Sequence, residues 1–176
     1  MAWTLTSQSH LMRLTMKNIL GGVYTTMSQV DLDAGTLKCA LYDNTITPDM
    51  DAALGSTGYG QGQWLSTGSS AGGNVGGQVY AATGWAVGGV TAGAGTGVFA
   101  TTSGQVGFTT APIVSGASTT MSNIYGMFLY FSNATSAGGG EALAGLGFWG
   151  FGAAYAVTAG TLTITPNASG LFTLTV

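Results

Sequence analysis

The sequence of this 176-residue chain has very few charged side chains. Three are basic and six are acidic, so charged residues make up 5% of the chain, against roughly 25% in ordinary globular proteins. All but Glu141 precede Ala52. Nucleic-acid binding needs clustered Lys and Arg that release counterions. The composition therefore predicts no nucleic-acid partner.

Cysteine and histidine are as scarce as charge. Cys39 is the only cysteine, which excludes an internal disulfide, and its apolar surroundings are typical of a small buried hydrophobe. His10 is the only histidine, and Glu141 the only glutamate. An enzyme site needs titratable groups brought together. We therefore predict no enzymatic activity and no catalytic residue.

Targeting and membrane segments are also lacking. Residues 1–6 contain no basic stretch followed by an apolar one, so we expect no signal peptide and a cytosolic origin. Ala142 to Val157 is apolar or glycine throughout, but it is shorter than the roughly 20 residues of a membrane-spanning helix. We interpret it as buried glycine-rich strand and expect no membrane partner.

Glycine is abundant, with 31 residues. It recurs every few positions in residues 63–104, between short apolar pieces, which predicts either short strands with bulges or an extended loop that orders on docking. The absence of a fixed period argues against a solenoid. The glycine runs are not phosphate-binding loops, because they do not join a strand to a helix and no lysine follows them.

Strand patterns dominate elsewhere. Thr36–Tyr42 and Ile124–Phe131 are apolar runs, and Thr161–Thr165 and Leu171–Val176 alternate apolar residues with threonine. Turn-forming residues Pro166 to Gly170 separate the last two runs, which predicts that the chain ends in a hairpin.

One helix is predicted, over Ser7 to Leu20, from apolar spacings of three and four residues and the glycines that follow. The expected fold is a single all-β domain, 1–176, forming an antiparallel β-sandwich or jelly-roll-like structure with that short N-terminal helix and long Gly-rich loops. Its parts are the N-terminal arm and helix (1–22), first strands (23–62), Gly-rich loop with short strands (63–104) and closing strands (105–176).

Two aspartate pairs are the only acidic clusters. Asp31 and Asp33, and likewise Asp49 and Asp51, supply alternating carboxylates as a calcium loop does, or cap turns with side-chain oxygens. Both interpretations stay open, and we predict no metal or cofactor site. The four tryptophans are either sugar-stacking platforms or core and interface anchors.

A surface so poor in charge lacks the self-repulsion that keeps a free monomer soluble, which favours a subunit of an assembly.

The order of motifs along the chain also favours a subunit of an assembly. Residues 10–12 and 30–42, the run Thr47-Pro48-Asp49-Met50-Asp51 and the run Gly58-Tyr59-Gly60 resemble a group of small virion proteins of tailed bacteriophages. The closing stretches 125–130, 160–164 and 167–174 match the same group in order.

The resemblance implies a capsid decoration protein in the virion, assembled in the host cytoplasm. Its expected partners are the major capsid protein and further copies of itself in a homotrimer. It implies no catalytic residue. Two alternatives remain: a tail tube, tip or fibre component, and a secreted carbohydrate-binding or hydrolytic β-sandwich, which would need a carboxylate pair that Glu141 does not have in sequence.

Overall fold

The computed structural model describes residues 9–11, 37–46, 59–60, 64, 77–92, 98–102, 105–132, 145–167 and 172–175. Within these residues the secondary structure is β-strand, without a helix, which confirms the all-β prediction. The strands are β1 (Ser9–Leu11), β2 (Leu37–Tyr42), β3 (Gln78–Val79), β4 (Val90–Thr91), β5 (Val98–Thr102), β6 (Gln105–Thr109), β7 (Ile113–Val114), β8 (Thr119–Phe131), β9 (Gly145–Gly160), β10 (Thr163–Ile164) and β11 (Phe172–Thr175).

The strands form three antiparallel sheets. In the main sheet the order is β1-β9-β8-β2-β3, and β4 pairs with β2 along the same edge as β3. The two smaller sheets are β10-β7 and β11-β6-β5. Residues 23–36 of the predicted first-strand region and both aspartate pairs lie outside the described residues.

The centre of the main sheet is buried on both faces. β2 and β8 pair from Leu37 opposite Phe131 to Tyr42 opposite Gly126. Because side chains alternate between the faces of a strand, the odd-numbered and even-numbered residues of both strands feed different cores. The first core includes Cys39, Leu41, Met127, Leu129 and Trp85. The second includes Ala40, Tyr42, Phe128, Tyr130 and Trp64.

Burial on both faces explains why these strands are continuous apolar runs rather than alternating ones. The buried first part of β9 also contributes to both cores, and it contains an irregularity in its pairing with β8. Leu129 pairs with Gly147 and Tyr130 with Gly145, so Leu146 is an extra residue in β9, a β-bulge. The bulge places Leu146 in the first core and Phe148 in the second, although the two are two residues apart.

The predicted N-terminal helix is wrong where the structure describes it. Ser9–Leu11 form β1, which pairs with β9 through Ser9 opposite Trp149 and Leu11 opposite Gly147. The remaining positions of that helix lie outside the described residues. Helical spacing over a short segment is a weak signal, and strand pairing at a sheet edge overrides it because it satisfies the same backbone groups.

The predicted C-terminal hairpin is also wrong. β10 pairs with β7, through Ile164 opposite Ile113, whereas β11 pairs with β6, through Phe172 opposite Phe108. The alternating pattern correctly indicated two strands. It did not indicate their partners, because a period of two reports one buried face and carries no information about the neighbouring strand.

A glycine allows the chain to return onto β2. After Trp85 a turn closes with the Gly89 N–H donating to the Ala86 carbonyl at 2.8 Å, and β4 then pairs with Lys38 and Cys39. Gly89 has φ of +77°, and a Cβ at that position would overlap the Cys39 carbonyl. Only glycine combines this backbone angle with such a close approach to another strand.

Replacing Gly89 by alanine should therefore cost about 3 kcal/mol or more of unfolding free energy, from backbone strain together with overlap. Gly60→Ala is a matched control, because Gly60 has φ of +79° but nothing within 4 Å of an added Cβ. That variant should lose only about 1 kcal/mol. Urea unfolding measures both losses, and equal losses would contradict the close approach.

Candidate interaction surface

The second core is an aromatic cluster that holds two loop segments on the main sheet. Trp64 stacks on Phe128 with ring centroids 4.1 Å apart, and Tyr42 meets Trp64 edge-on at 5.1 Å. Tyr59 stacks on Tyr130 at 4.5 Å. Trp64 and Tyr59 come from outside the strands, so these contacts cover a sheet face that would otherwise expose large apolar rings.

The buried tyrosine hydroxyls are used for structural hydrogen bonds. Tyr42 Oη donates to the Trp64 carbonyl at 3.1 Å, and Tyr130 Oη donates to the Gly88 carbonyl at 2.6 Å. Tyr59 Oη donates to Gln78 Oε1 at 3.0 Å. Each bond joins the sheet or its aromatic layer to a connecting segment, so the hydroxyls hold chain segments together.

Burial also makes these groups chemically inert. Desolvation raises the pKa of Tyr42, of Tyr130 and of Tyr59 above the usual tyrosine range. Desolvation likewise raises the pKa of Cys39, whose Sγ lies 3.8 Å from Met127 Sδ. A nucleophile needs an accessible thiolate or phenolate. The structure confirms that Cys39 is a buried hydrophobe.

The raised pKa values of these buried tyrosines should make the stability of the fold depend on pH in the alkaline range. Unfolded tyrosine ionises near about pH 10, so above that pH the folded chain retains protons that the unfolded chain loses. Stability should therefore be unaffected by these groups below about pH 10 and should fall as pH rises further. We expect part of the phenolate absorbance to appear only when near-ultraviolet circular dichroism is lost.

The control is the same titration in concentrated denaturant, where the phenolate signal should rise in a single step. Complete ionisation of a chain that keeps its near-ultraviolet signal would contradict the burial of Tyr42, Tyr59 and Tyr130.

The titratable residues do not converge in the described part of the chain, which contains no group of three or more His, Cys, Asp or Glu side chains able to hold a metal ion. Asp43 Oδ1 accepts hydrogen bonds from Thr45 N at 2.8 Å and from Thr45 Oγ1 at 2.6 Å, which is the turn-capping role expected of aspartate here. His10 lies in β1, opposite Phe148. Glu141 lies outside the described residues.

The tryptophans that the structure describes are anchors. Trp64 and Trp85 are fully buried, one in each core, and Trp149 packs against the first core. The indole Nε1 atoms of Trp64 and Trp85 have no hydrogen-bond partner in the structure. Neither ring has the exposed face on which a sugar stacks, so the anchor interpretation holds for these positions.

The least buried part of the main sheet is an outer ribbon, which we define as residues 119–125 of β8 and 150–160 of β9. β9 is buried from Gly145 to Phe148, becomes half-buried at Trp149 and is exposed over 152–156. The ribbon contains no charged residue. The expectation that Ala142 to Val157 is buried strand is therefore correct only for the first part of β9.

Irregular pairing gives the outer ribbon its shape. Register shifts occur between Met121 and Ile124 and between Ile124 and Gly126, and Gly152 and Asn123 have positive φ. Bulges bend and twist a strand pair. Two hydrogen bonds hold the far end, from Ala159 N to Thr120 Oγ1 at 2.9 Å and from Leu162 N to Ser115 Oγ at 2.8 Å.

A groove of about 220 Å³ lies between the outer ribbon and β10. Phe151 and Tyr155 form one wall, with their rings edge-to-face at 5.8 Å. Tyr155 is 53% exposed, the largest exposure among the large apolar side chains that the structure describes. The lining is apolar except for two hydroxyls, those of Tyr155 and Thr163, and consists of Ile124, Phe151, Tyr155, Leu162, Thr163 and Ile164.

The second candidate for an interaction surface, beside the groove, is the edge of β9 that faces away from β8. β1 covers it only at Gly147 to Trp149, and no other described strand pairs with β9 on the side away from β8. Among the described strands, the stretch from Gly150 to Gly160 therefore has no pairing partner on this side, beside the groove. Sequence reasoning missed this surface because glycine and alanine are compatible with either a crowded interior or a bare edge.

Comparisons with known protein families, with curated proteins and with solved structures found no match. Within the described residues, the structure has no helix of the length and apolarity needed to cross a membrane. The groove and the edge of β9 are therefore the features on which a functional assignment depends.

Proposed function

We propose that this chain is a structural protein of a bacteriophage virion, a capsid decoration protein that binds the assembled head shell and stabilises it. The observation that supports this most directly is the outer ribbon, a charge-free and partly exposed strand pair with a groove beside it and, among the described strands, no partner along the outer edge of Gly150 to Gly160. An apolar groove with an exposed ring at its rim, as at Tyr155, is a common feature of interaction sites. The motif resemblance favours the major capsid protein as the partner.

The three antiparallel sheets are the basis for the finer fold proposal. They would pack as a β-sandwich or jelly-roll-like domain, an architecture that closes apolar sheet faces against each other. In the described part, the main sheet already has an apolar layer on each face. Such a body is rigid enough to present loops and edges to a partner in a fixed arrangement.

The mechanism is mass action. A protein that binds the assembled lattice and not its free subunits stabilises the lattice by its binding free energy. Repetition over many equivalent sites multiplies the effect, and linking copies in a homotrimer raises the effective concentration of each contact. This mechanism needs no chemical reaction.

Electron microscopy of particles that contain this chain is the decisive experiment. We expect many copies distributed over the head surface, because decoration requires one site per lattice repeat. A few copies at one vertex or along the tail would instead establish the tail alternative. Absence from purified particles, together with turnover of a polysaccharide by the purified chain, would support the secreted alternative.

A binding assay gives the second test. Shells assembled without this chain should bind the purified protein to saturation and should then dissociate at a higher temperature. Unassembled major capsid protein is the control, and it should not bind. Equal binding to assembled and unassembled forms would contradict stabilisation by mass action.

A further inference from the structure

The middle of β8 has the composition of a strand that can stack on copies of itself. We call residues 124–131 the central segment. It consists of isoleucine, methionine, leucine, four aromatic residues and one glycine, without proline and without charge. Segments of about six or seven residues with these properties stack on identical segments of other chains as cross-β structure. The composition therefore makes the central segment able to bind a second copy of itself.

The chain places no charge near the central segment. The nearest charged residues in the sequence are Asp51 and Glu141, and residues 52–140 contain none. Natural sequences usually place charged residues beside apolar strands of this kind, because like charges repel when identical chains stack. Such repulsion is missing here.

The other described strands are less suited to stacking. β2 contains Lys38, and β9 contains five glycines, which weaken a strand. β5, β6 and β11 have five, five and four residues, which is shorter than a stacking segment needs. The central segment is therefore the strongest candidate in the part of the chain that the structure describes.

The folded protein makes the central segment inaccessible. All of its residues except Tyr125 are buried. β2 pairs with one side of it from Gly126 to Phe131, and β9 pairs with the other side from Gly126 to Tyr130. Its two faces fill the first and the second core. A further strand can therefore bind the segment only after β2 or β9 has left it.

We infer that the central segment is a latent self-association site, whose partner is the same segment of a second copy, and that β2 and β9 keep it closed in the folded protein. Loss of either neighbouring strand exposes both a row of backbone hydrogen-bonding groups and two apolar faces. This inference goes beyond the proposed function and does not depend on it.

The first test incubates the purified full chain at low ionic strength, at the urea concentration where half of it is unfolded. We expect fibrils whose X-ray diffraction shows the strand spacing of roughly 4.8 Å. Proteolysis and mass spectrometry should find residues 124–131 in the protected core. The chain without urea is the control and should form no fibrils. Failure to form fibrils in urea, or a protected core without these residues, would overturn the inference.

The second test compares Tyr125→Lys with Tyr80→Lys. Both variants change the net charge equally, but Tyr125 lies in the central segment, whereas Tyr80 is a 44% exposed residue after β3. In an in-register stack, lysines roughly 4.8 Å apart repel enough to weaken the addition of each chain roughly fourfold in water. The concentration of chain that stays soluble beside fibrils should rise by that factor or more in Tyr125→Lys.

Tyr80→Lys should leave this soluble concentration unchanged. The comparison does not require either variant to fold, because all chains are measured in urea just above the midpoint of the most stable one, where each is mainly unfolded. An equal rise in both variants, or no rise in Tyr125→Lys, would contradict the assignment of the central segment.

Discussion

The pairing of β2 with β8 is the interaction on which the rest of the structure depends. Its register, with Cys39 opposite Leu129 and Ala40 opposite Phe128, assigns the buried side chains of the paired stretch to one of two cores. A shift by one residue would exchange the two faces. Because large rings lie on one face and aliphatic side chains dominate the other, such a shift would leave both layers badly packed.

The same register also determines where the connecting segments attach to the sheet. Tyr42 and Tyr130 project from the same face and donate hydrogen bonds to the carbonyls of Trp64 and Gly88. On the other face Trp85 fills the first core, and Gly89 then brings the chain back against Cys39. A glycine-rich chain loses much conformational entropy on folding, and buried aromatic anchors with specific hydrogen bonds offset part of this cost.

The outer ribbon contrasts with this interior. The strands that form the doubly covered centre continue into it, but Gly152 and the positive φ of Asn123 bend the pair and leave Tyr155 exposed. One pair of strands thus serves as both the core and the surface available to a partner. A centre buried on both faces that continues into an exposed strand pair holds the groove in a defined position, which reduces the ordering cost of binding any partner there.

The sequence by itself determined the all-β class, the strands at 37–42 and 124–131 and the buried thiol of Cys39, because each depends on local composition or on side-chain period. Tertiary structure alone decided that Ser9–Leu11 pair with β9 and that β10 and β11 join different sheets. It alone decided that Tyr155 lines an open groove. Strand partners and exposed edges depend on contacts between residues far apart in the chain, and a local pattern cannot specify those contacts.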